Sequence, residues 1–383
     1  MFRIATANIF MIWKTSGSPK TPLSINTLSI AAATESPMKT NTTQTGANGV
    51  GHKGIISAVA TALLDIFSEQ NRLPPLEPGK RIDGKVCLIT GANSGLGKAV
   101  AIDLARRGGH VIMVCRNDTP TAREEIIRDS GSTRIEMMRA DLSDLESVSY
   151  LCDQLRARNV KLDIAVLNAG LMPLNARKSA QGHELMFAVH FLANRLMLAR
   201  WLADGVIPQD RSGLNIPRVV FVSSEAHQSS APIDFNHFAK FHDYGLKDGM
   251  KYYGLSKLHL STFACELNRQ LNESAPPKVA VHHLCPGPIA SNIARESPPY
   301  IKPILSPIMK LLFRSPEKAA EPVIYLACAD AMGLRSGVYL HMMKEKHPSP
   351  LAVDATNGKL LWEKSAVLLE SHLPSNPRKM ECL

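Results

Sequence analysis

The 383 residues carry 44 Lys and Arg against 34 Asp and Glu, a net charge of +10, with 45% hydrophobic and 20% charged residues. Such a composition builds a full globular core, and no run reaches the ~18 apolar residues that a membrane-spanning helix requires. The basic residues are dispersed and not interleaved with aromatics, which argues against nucleic acid as a partner. An anionic cofactor, a membrane surface or simple solvation remains as a reason for the positive balance.

Residues 1–50 are rich in Ser and Thr, with Glu35 as the sole acidic residue. They are expected to be disordered, or untranslated with Met38 as a second start; with Arg3 as the lone arginine, organelle import is the lesser reading. In 51–79 an apolar helix is predicted over residues 54–68, followed by a linker rich in Pro and Gly (Leu73-Pro74-Pro75-Leu76-Glu77-Pro78-Gly79). The main domain is placed at 80–372 and a flexible tail at 373–383. The seven cysteines form no CxxC pair, which points to reduced thiols and a cytoplasmic compartment. The 13 histidines show no HExxH-type spacing, so no metal site is expected.

From Lys85 onward, apolar β-rich runs (86–90, 110–115, 134–139, 162–168, 218–223 and 279–285) alternate with helical patterns. The clearest helices cover 96–107, 145–158, 184–203 and 253–271. Strands apolar throughout and separated by amphipathic helices predict a parallel sheet covered on both faces, a doubly wound α/β domain of Rossmann type.

The first strand runs into Thr90-Gly91-Ala92-Asn93-Ser94-Gly95-Leu96-Gly97 and then a helix. A glycine loop at a strand-to-helix junction lets backbone approach a pyrophosphate, and the helix N-terminus supplies amide donors. Gly91, Asn93, Ser94, Gly95, Leu96 and Gly97 are therefore candidate cofactor residues. At the end of the second strand, where a carboxylate would select NAD, the chain reads Val114-Cys115-Arg116-Asn117. Arg116 offers a fork of donors to a 2′-phosphate, so NADP is the expected cofactor.

Residues 253–257 read Tyr-Gly-Leu-Ser-Lys. At the start of a helix, Tyr253 and Lys257 share one face. A neighbouring ammonium would lower the tyrosine pKa and fit it for proton transfer. Of Ser223 and Ser224, ending the fifth strand, Ser224 is expected nearer the cleft. The insertion between Ser224 and Tyr253, with Asp234-Phe235 and several histidines, either shapes a substrate pocket or is a solvent-exposed excursion.

In this order and spacing, these motifs resemble the short-chain dehydrogenases/reductases from about Lys80 to His372. Ala140-Asp141-Leu142, Leu167-Asn168-Ala169-Gly170 and Cys285-Pro286-Gly287-Pro288-Ile289-Ala290-Ser291 complete the match. The resemblance implies that Asp141 holds the adenine and that Asn168, Ala169 and Gly170 line the cofactor. It also implies that the turn carrying Pro286, Gly287 and Ile289 closes over the nicotinamide, and that Lys257 binds the ribose. The runs HVIMVCRN, ELMFAVHFLANRLML and VVFVSSEAH look like the retinol dehydrogenase and WW-domain oxidoreductase branch, without a preceding WW segment.

The implied activity is NADP-linked interconversion of a lipophilic alcohol with its aldehyde or ketone. A protochlorophyllide-reductase-like double-bond reduction and a non-catalytic dinucleotide sensor stand as alternatives. His190 replaces the family's usual asparagine, implying either a modified water relay to Lys257 or weakened turnover. The family pattern also implies a homodimer through the helices holding His190 and Tyr253. Residues 298–316, apolar with spaced Lys302, Lys310 and Arg314, are the expected substrate lid and a candidate peripheral membrane contact.

Overall fold

The computed structural model describes residues 72–273, 276–289 and 314–373, with Leu214 described by its backbone alone. The helix predicted at 54–68, the lid as far as residue 313 and the tail beyond residue 373 lie outside the described residues. Among the described residues no helix is long and apolar enough to cross a membrane.

The first half alternates strand and helix: β1 (Val86–Thr90), α1 (Gly95–Arg106), β2 (His110–Cys115), α2 (Pro120–Ser130), β3 (Ile135–Arg139), α3 (Leu145–Ala157) and β4 (Ile164–Leu167). The second half begins with α4 (Leu185–Phe187), a π turn at Ala188–Leu192, α5 (Ala193–Ala203), β5 (Arg218–Val222), α6 (Gly249–Leu271) and β6 (Ala280–Cys285). It closes with α7 (Pro316–Cys328), α8 (Asp330–Gly333), β7 (Tyr339–His341), β8 (Lys344–Lys346), α9 (Pro350–Val353) and α10 (Ala355–Leu368).

Eight strands form one sheet in the order β3-β2-β1-β4-β5-β6-β7-β8, parallel except for β8. Alternate residues of β1 feed two separate cores, Leu88 on one face with Phe191, Phe221 and Phe263, and Cys87 and Ile89 on the other with Leu104 and Met113. Successive side chains of a strand point to opposite faces, so a strand covered on both sides must be apolar at every position. This is why the runs read as continuous. Winding reverses between β1 and β4, which pair directly, and a doubly wound sheet opens its binding crevice at that switch, beyond the strand C-termini.

The fold departs from the sequence expectations in three places. The continuous helix expected at 184–203 is interrupted by the π turn, which holds His190. Strands β7 and β8, three residues each, are too short to register as a periodicity. The Pro-rich linker is pinned to the sheet: Leu73 N–H donates to the Met343 carbonyl at 2.7 Å, and Arg72 bridges Lys344.

The helices expected to form a dimer face, those holding His190 and Tyr253, are tightly packed within the chain. Every residue of α5 from Ala193 to Leu202 is buried within the single chain. Helix α10 packs on α6, placing Trp362 5.9 Å from the Phe263 ring and 3.9 Å from the Arg195 guanidinium.

Candidate active site

Each glycine of the first loop has its own reason to be there. Gly91 and Gly95 have φ of +68° and +53°, the left-handed region that side chains avoid. At Gly97 a Cβ would stand 2.3 Å from the Gly91 carbonyl oxygen and 2.5 Å from Asn168 Nδ2. Ser94 is the N-cap of α1, but its side chain bonds no backbone amide there, and the first turn contains no acidic residue. The dipole and amides of this helix end are therefore suited to an anion. Leu96 is buried beneath the loop, and Asn93 and Ser94 are half-buried at its rim.

The loop is stitched to the end of β4 across the switch point. Thr90 Oγ1 accepts from the N–H groups of Asn168 and Ala169, both at 3.0 Å, and Asn168 Nδ2 donates to the Thr90 carbonyl at 2.9 Å. Asp141 follows β3, its carboxylate accepting from Ser143 N–H and Oγ–H at 2.9 and 2.6 Å. Arg116 stands exposed just past β2. The parallel register sets Cys115 beside Arg139, whose Nε donates to the Arg116 carbonyl at 3.2 Å. Sequence reading missed Arg139, since its place beside Arg116 follows from strand pairing and not from spacing.

Helix α6 begins at Gly249, so Tyr253 lies one turn inside it rather than at its start. Gly254 lets this helix approach the segment after β5: a Cβ there would meet the Ala226 carbonyl oxygen at 3.0 Å. Ser224 Oγ accepts from Ala226 N–H at 3.2 Å, and its side chain lies close enough to Tyr253 to favour the phenolate. Ser223 faces inward instead, bonding Ser261 Oγ at 2.8 Å. His227 holds this turn, with Nδ1 donating to the Ser224 carbonyl at 2.6 Å and Nε2 accepting from Ser349 N–H at 3.1 Å.

Lys257 Nζ donates to the Val222 carbonyl at 3.0 Å and sits 5.7 Å from the Tyr253 ring centre. Burial pushes Lys257 down to about 8 and Tyr253 up to about 12, against the opposing Ser224 hydrogen bond. Among the chain's own groups, desolvation of the phenolate therefore outweighs the expected help from the ammonium. Tyr253 is held as a protonated phenol, the form that gives a proton to a carbonyl oxygen.

His190 lies fully buried beside this pair. Its Nε2 accepts from Leu171 N–H at 3.0 Å, and its Nδ1 contacts Ser256 Oγ at 2.9 Å. Burial and then the charge of Lys257 hold its pKa well below the ordinary value. Gly170 lies under it, where a Cβ would stand 3.2 Å from His190 Nε2.

The turn after β6 carries Pro286, Gly287 with φ +83°, and Ile289, which bridges Arg314. Arg314 N–H donates to the Pro288 carbonyl at 2.9 Å, and its guanidinium donates to the Pro286 carbonyl at 3.3 Å. Ala290 and Ser291 lie outside the described residues.

The insertion between Ser224 and Tyr253 is not a free excursion. Phe235 and Phe238 pack on the core, Tyr244 donates to Glu184 Oε1 at 2.8 Å, and the Tyr244 and Tyr252 rings stack at 4.5 Å.

The spacing of the histidines showed no metal ligands, yet the strand ends bring Glu225, Cys285 and His341 within 4.8 Å of one another. The Lys346 ammonium, 3.2 Å from Glu225 Oε1 and 3.3 Å from His341 Nδ1, already supplies a cation to this cluster.

Comparison with known proteins agrees with this geometry. The family model for short chain dehydrogenases matches residues 85–234. Retinol dehydrogenase 13 of Homo sapiens is 33% identical over 305 residues, covering 77% of this chain and 87% of that protein. Retinol dehydrogenase 12 of Mus musculus is 32% identical over 300 residues, covering 76% and 87%. Among solved structures, an uncharacterised protein of Mycobacterium paratuberculosis aligns with a TM-score of 0.59 at 25% identity, covering 77% of this chain and 97% of that one. The angucycline C-6 ketoreductase LanV with bound NADP shares the fold, with a TM-score of 0.52 at 24% identity over 69% and 95% of the two chains.

Proposed function

This chain belongs to the short-chain dehydrogenase/reductase family, an oxidoreductase of the retinol dehydrogenase branch, and from that premise we propose that it interconverts a lipophilic alcohol and its aldehyde or ketone with NADP(H). The observation that carries the reading is the meeting of Ser224, Tyr253 and Lys257 at the C-terminal end of β5. They stand next to the topological switch, where a doubly wound sheet binds its ligand.

The residues at the switch suit a dinucleotide. Gly91 and Gly97 let the loop close tightly on itself and on Asn168 and Ala169, where a Cβ would intrude, and the N-terminus of α1 offers Asn93, Ser94 and backbone amides to a pyrophosphate. Arg116 and Arg139 would take the 2′-phosphate, Asp141 the adenine, Asn168 to Gly170 the nicotinamide ribose side, and Pro286 to Ile289 the nicotinamide face. When bound, the nicotinamide supplies or accepts the hydride.

The chain's own groups handle the rest. Ser224 orients the substrate oxygen and Tyr253, protonated at neutral pH, gives or recovers the proton on that oxygen. Lys257 binds the ribose and places a positive charge beside the phenol, favouring its ionised form when an alcohol is oxidised.

The test is a screen of the purified protein against retinoids, aliphatic and aromatic aldehydes, ketones and alcohols, followed by the absorbance of the reduced nicotinamide. Turnover of lipophilic carbonyls with NADPH is expected. Turnover confined to small polar substrates, or none with either cofactor, would overturn the proposal.

A further inference from the structure

We propose that His190 is a positioning residue, a neutral imidazole that clamps the loop after β4 to the helix carrying Tyr253 and Lys257. The inference rests on the assignment of that pair as the proton-transfer machinery.

The hydrogen-bond chain fixes the tautomer. Ser256 Oγ donates its one hydrogen to the Tyr253 carbonyl at 2.8 Å, so in the 2.9 Å contact with His190 Nδ1 it must accept. Nδ1 therefore bears the ring proton, and Nε2 keeps the lone pair that receives Leu171 N–H at 3.0 Å. One side chain thus links Leu171, directly after Asn168 to Gly170, to the backbone of Tyr253 itself. The ring also stands edge-on to the Tyr253 phenol, with centroids 5.8 Å apart and planes at 88°.

The π turn makes this reach available. A wide turn leaves a carbonyl without its usual helical partner, and here Asn194 Nδ2 donates to the His190 carbonyl at 2.7 Å. Both ring nitrogens and the carbonyl of His190 are thereby engaged by the chain. The imidazole is thus committed to positioning, while the carbonyl oxygen keeps a second lone pair for a water of the relay.

Protonation would place a second hydrogen on Nε2, opposite the Leu171 N–H and near Lys257. The groups facing the ring from every side are Lys257 and Ser256 of α6, the Leu171 amide, Gly170 and the Tyr253 phenol. None is an anion that would stabilise an imidazolium. These surroundings favour the uncharged ring at neutral pH.

The proposal is tested on the full chain by selective ¹⁵N-histidine NMR and by kinetics. His190 should show the Nδ1–H tautomer and no titration between pH 5.5 and 8. An Nε2–H tautomer, or a midpoint near 6.5, would overturn the clamp whatever the activity.

Kinetically, His190→Phe, which keeps a ring and deletes both bonds, should lower kcat about tenfold while changing the NADPH Kd less than twofold. Ser256→Ala should lower kcat about threefold. The double variant should be no slower than His190→Phe, because the two residues act as one chain. Multiplied losses in the double variant, or unchanged kcat in Ser256→Ala, would reduce His190 to packing. Should His190→Phe fail to fold, the Ser256→Ala and NMR results decide alone. Full activity in Tyr253→Phe would instead sink the catalytic assignment and leave the NMR result standing.

Discussion

Arg139 donates from Nε to the backbone carbonyl of Arg116 at 3.2 Å, so two guanidinium-bearing residues stand together at the C-terminal ends of β2 and β3. A lone surface arginine is an ambiguous sign of a 2′-phosphate site. A second one set beside it by strand pairing strengthens the case for a phosphate-binding rim. NADPH should bind more tightly than NADH, and Arg116→Asp should reverse that order by losing about 1.5–3 kcal/mol of charge-assisted bonding. Arg139→Ala should weaken NADPH alone, by less. Fluorescence titration of both cofactors checks this, and equal affinities in the parent protein would remove both arginines from the assignment.

Replacing Tyr253 by Phe removes only the hydroxyl, so turnover should vanish while cofactor affinity stays nearly intact. Lys257→Ala should impair both turnover and cofactor binding, since in the proposed mechanism the ammonium serves ribose and phenol. Steady-state rates together with dissociation constants separate the two effects. Wild-type turnover in Tyr253→Phe would place the chemistry elsewhere.

Acid should destabilise this protein unusually early. His190, His227, His259, His282 and His283 are all buried, and burial depresses each of them, His259 and His282 to about 4 and His283 to about 3. Below pH 6.5 the unfolded chain takes up protons at these sites and the folded chain does not, so stability falls as pH falls from about 6.5 towards 4. The slope reaches about 1.4 kcal/mol per pH unit for each histidine, against a domain margin of about 5–15 kcal/mol. Thermal melts between pH 7 and 4.5 should show a steep decline, smaller in His282→Gln. A melting temperature flat from pH 6.5 to 5 would contradict it.

Helix α10 packs on α6, with Trp362 against Phe263 and the Arg195 guanidinium, and a monomer is expected in light scattering at micromolar concentration. Removing residues 354–383 uncovers Phe263 and the Arg195 stem, and that variant should dimerise or precipitate. A parent dimer cross-linked through α5 and α6 would refute the covering role of α10.

Much of this was legible in the chain itself. The six long strands could be read because burial on both faces makes most of their positions apolar, and the glycine loop and Tyr253–Lys257 pair follow from local spacing. The rest depends on pairing between distant segments. Arg139 becomes relevant through the register of β2 and β3, and Glu225, Cys285 and His341 meet because three strand ends converge. The ionisation of Tyr253 also needed the fold. Sequence spacing shows that a lysine is near, whereas the depth of burial decides which way the phenol shifts. The π turn had no local signal, since residues 184–203 are helical in character throughout.

The two residues that tie the start of the described chain to the border of β8 bear on association through the sheet edge. Strand β8, Lys-Glu-Lys, ends the sheet, and charged side chains on an outer strand discourage another copy from adding to it. Arg72 and Leu73 occupy backbone positions at the same border. A protein trimmed to begin at residue 85, where the family match starts, would leave the Met343 carbonyl unpaired and open a template for edge-to-edge association. Such a shortened chain should keep the catalytic residues yet aggregate more readily, which makes the Pro-rich segment a guard against self-assembly.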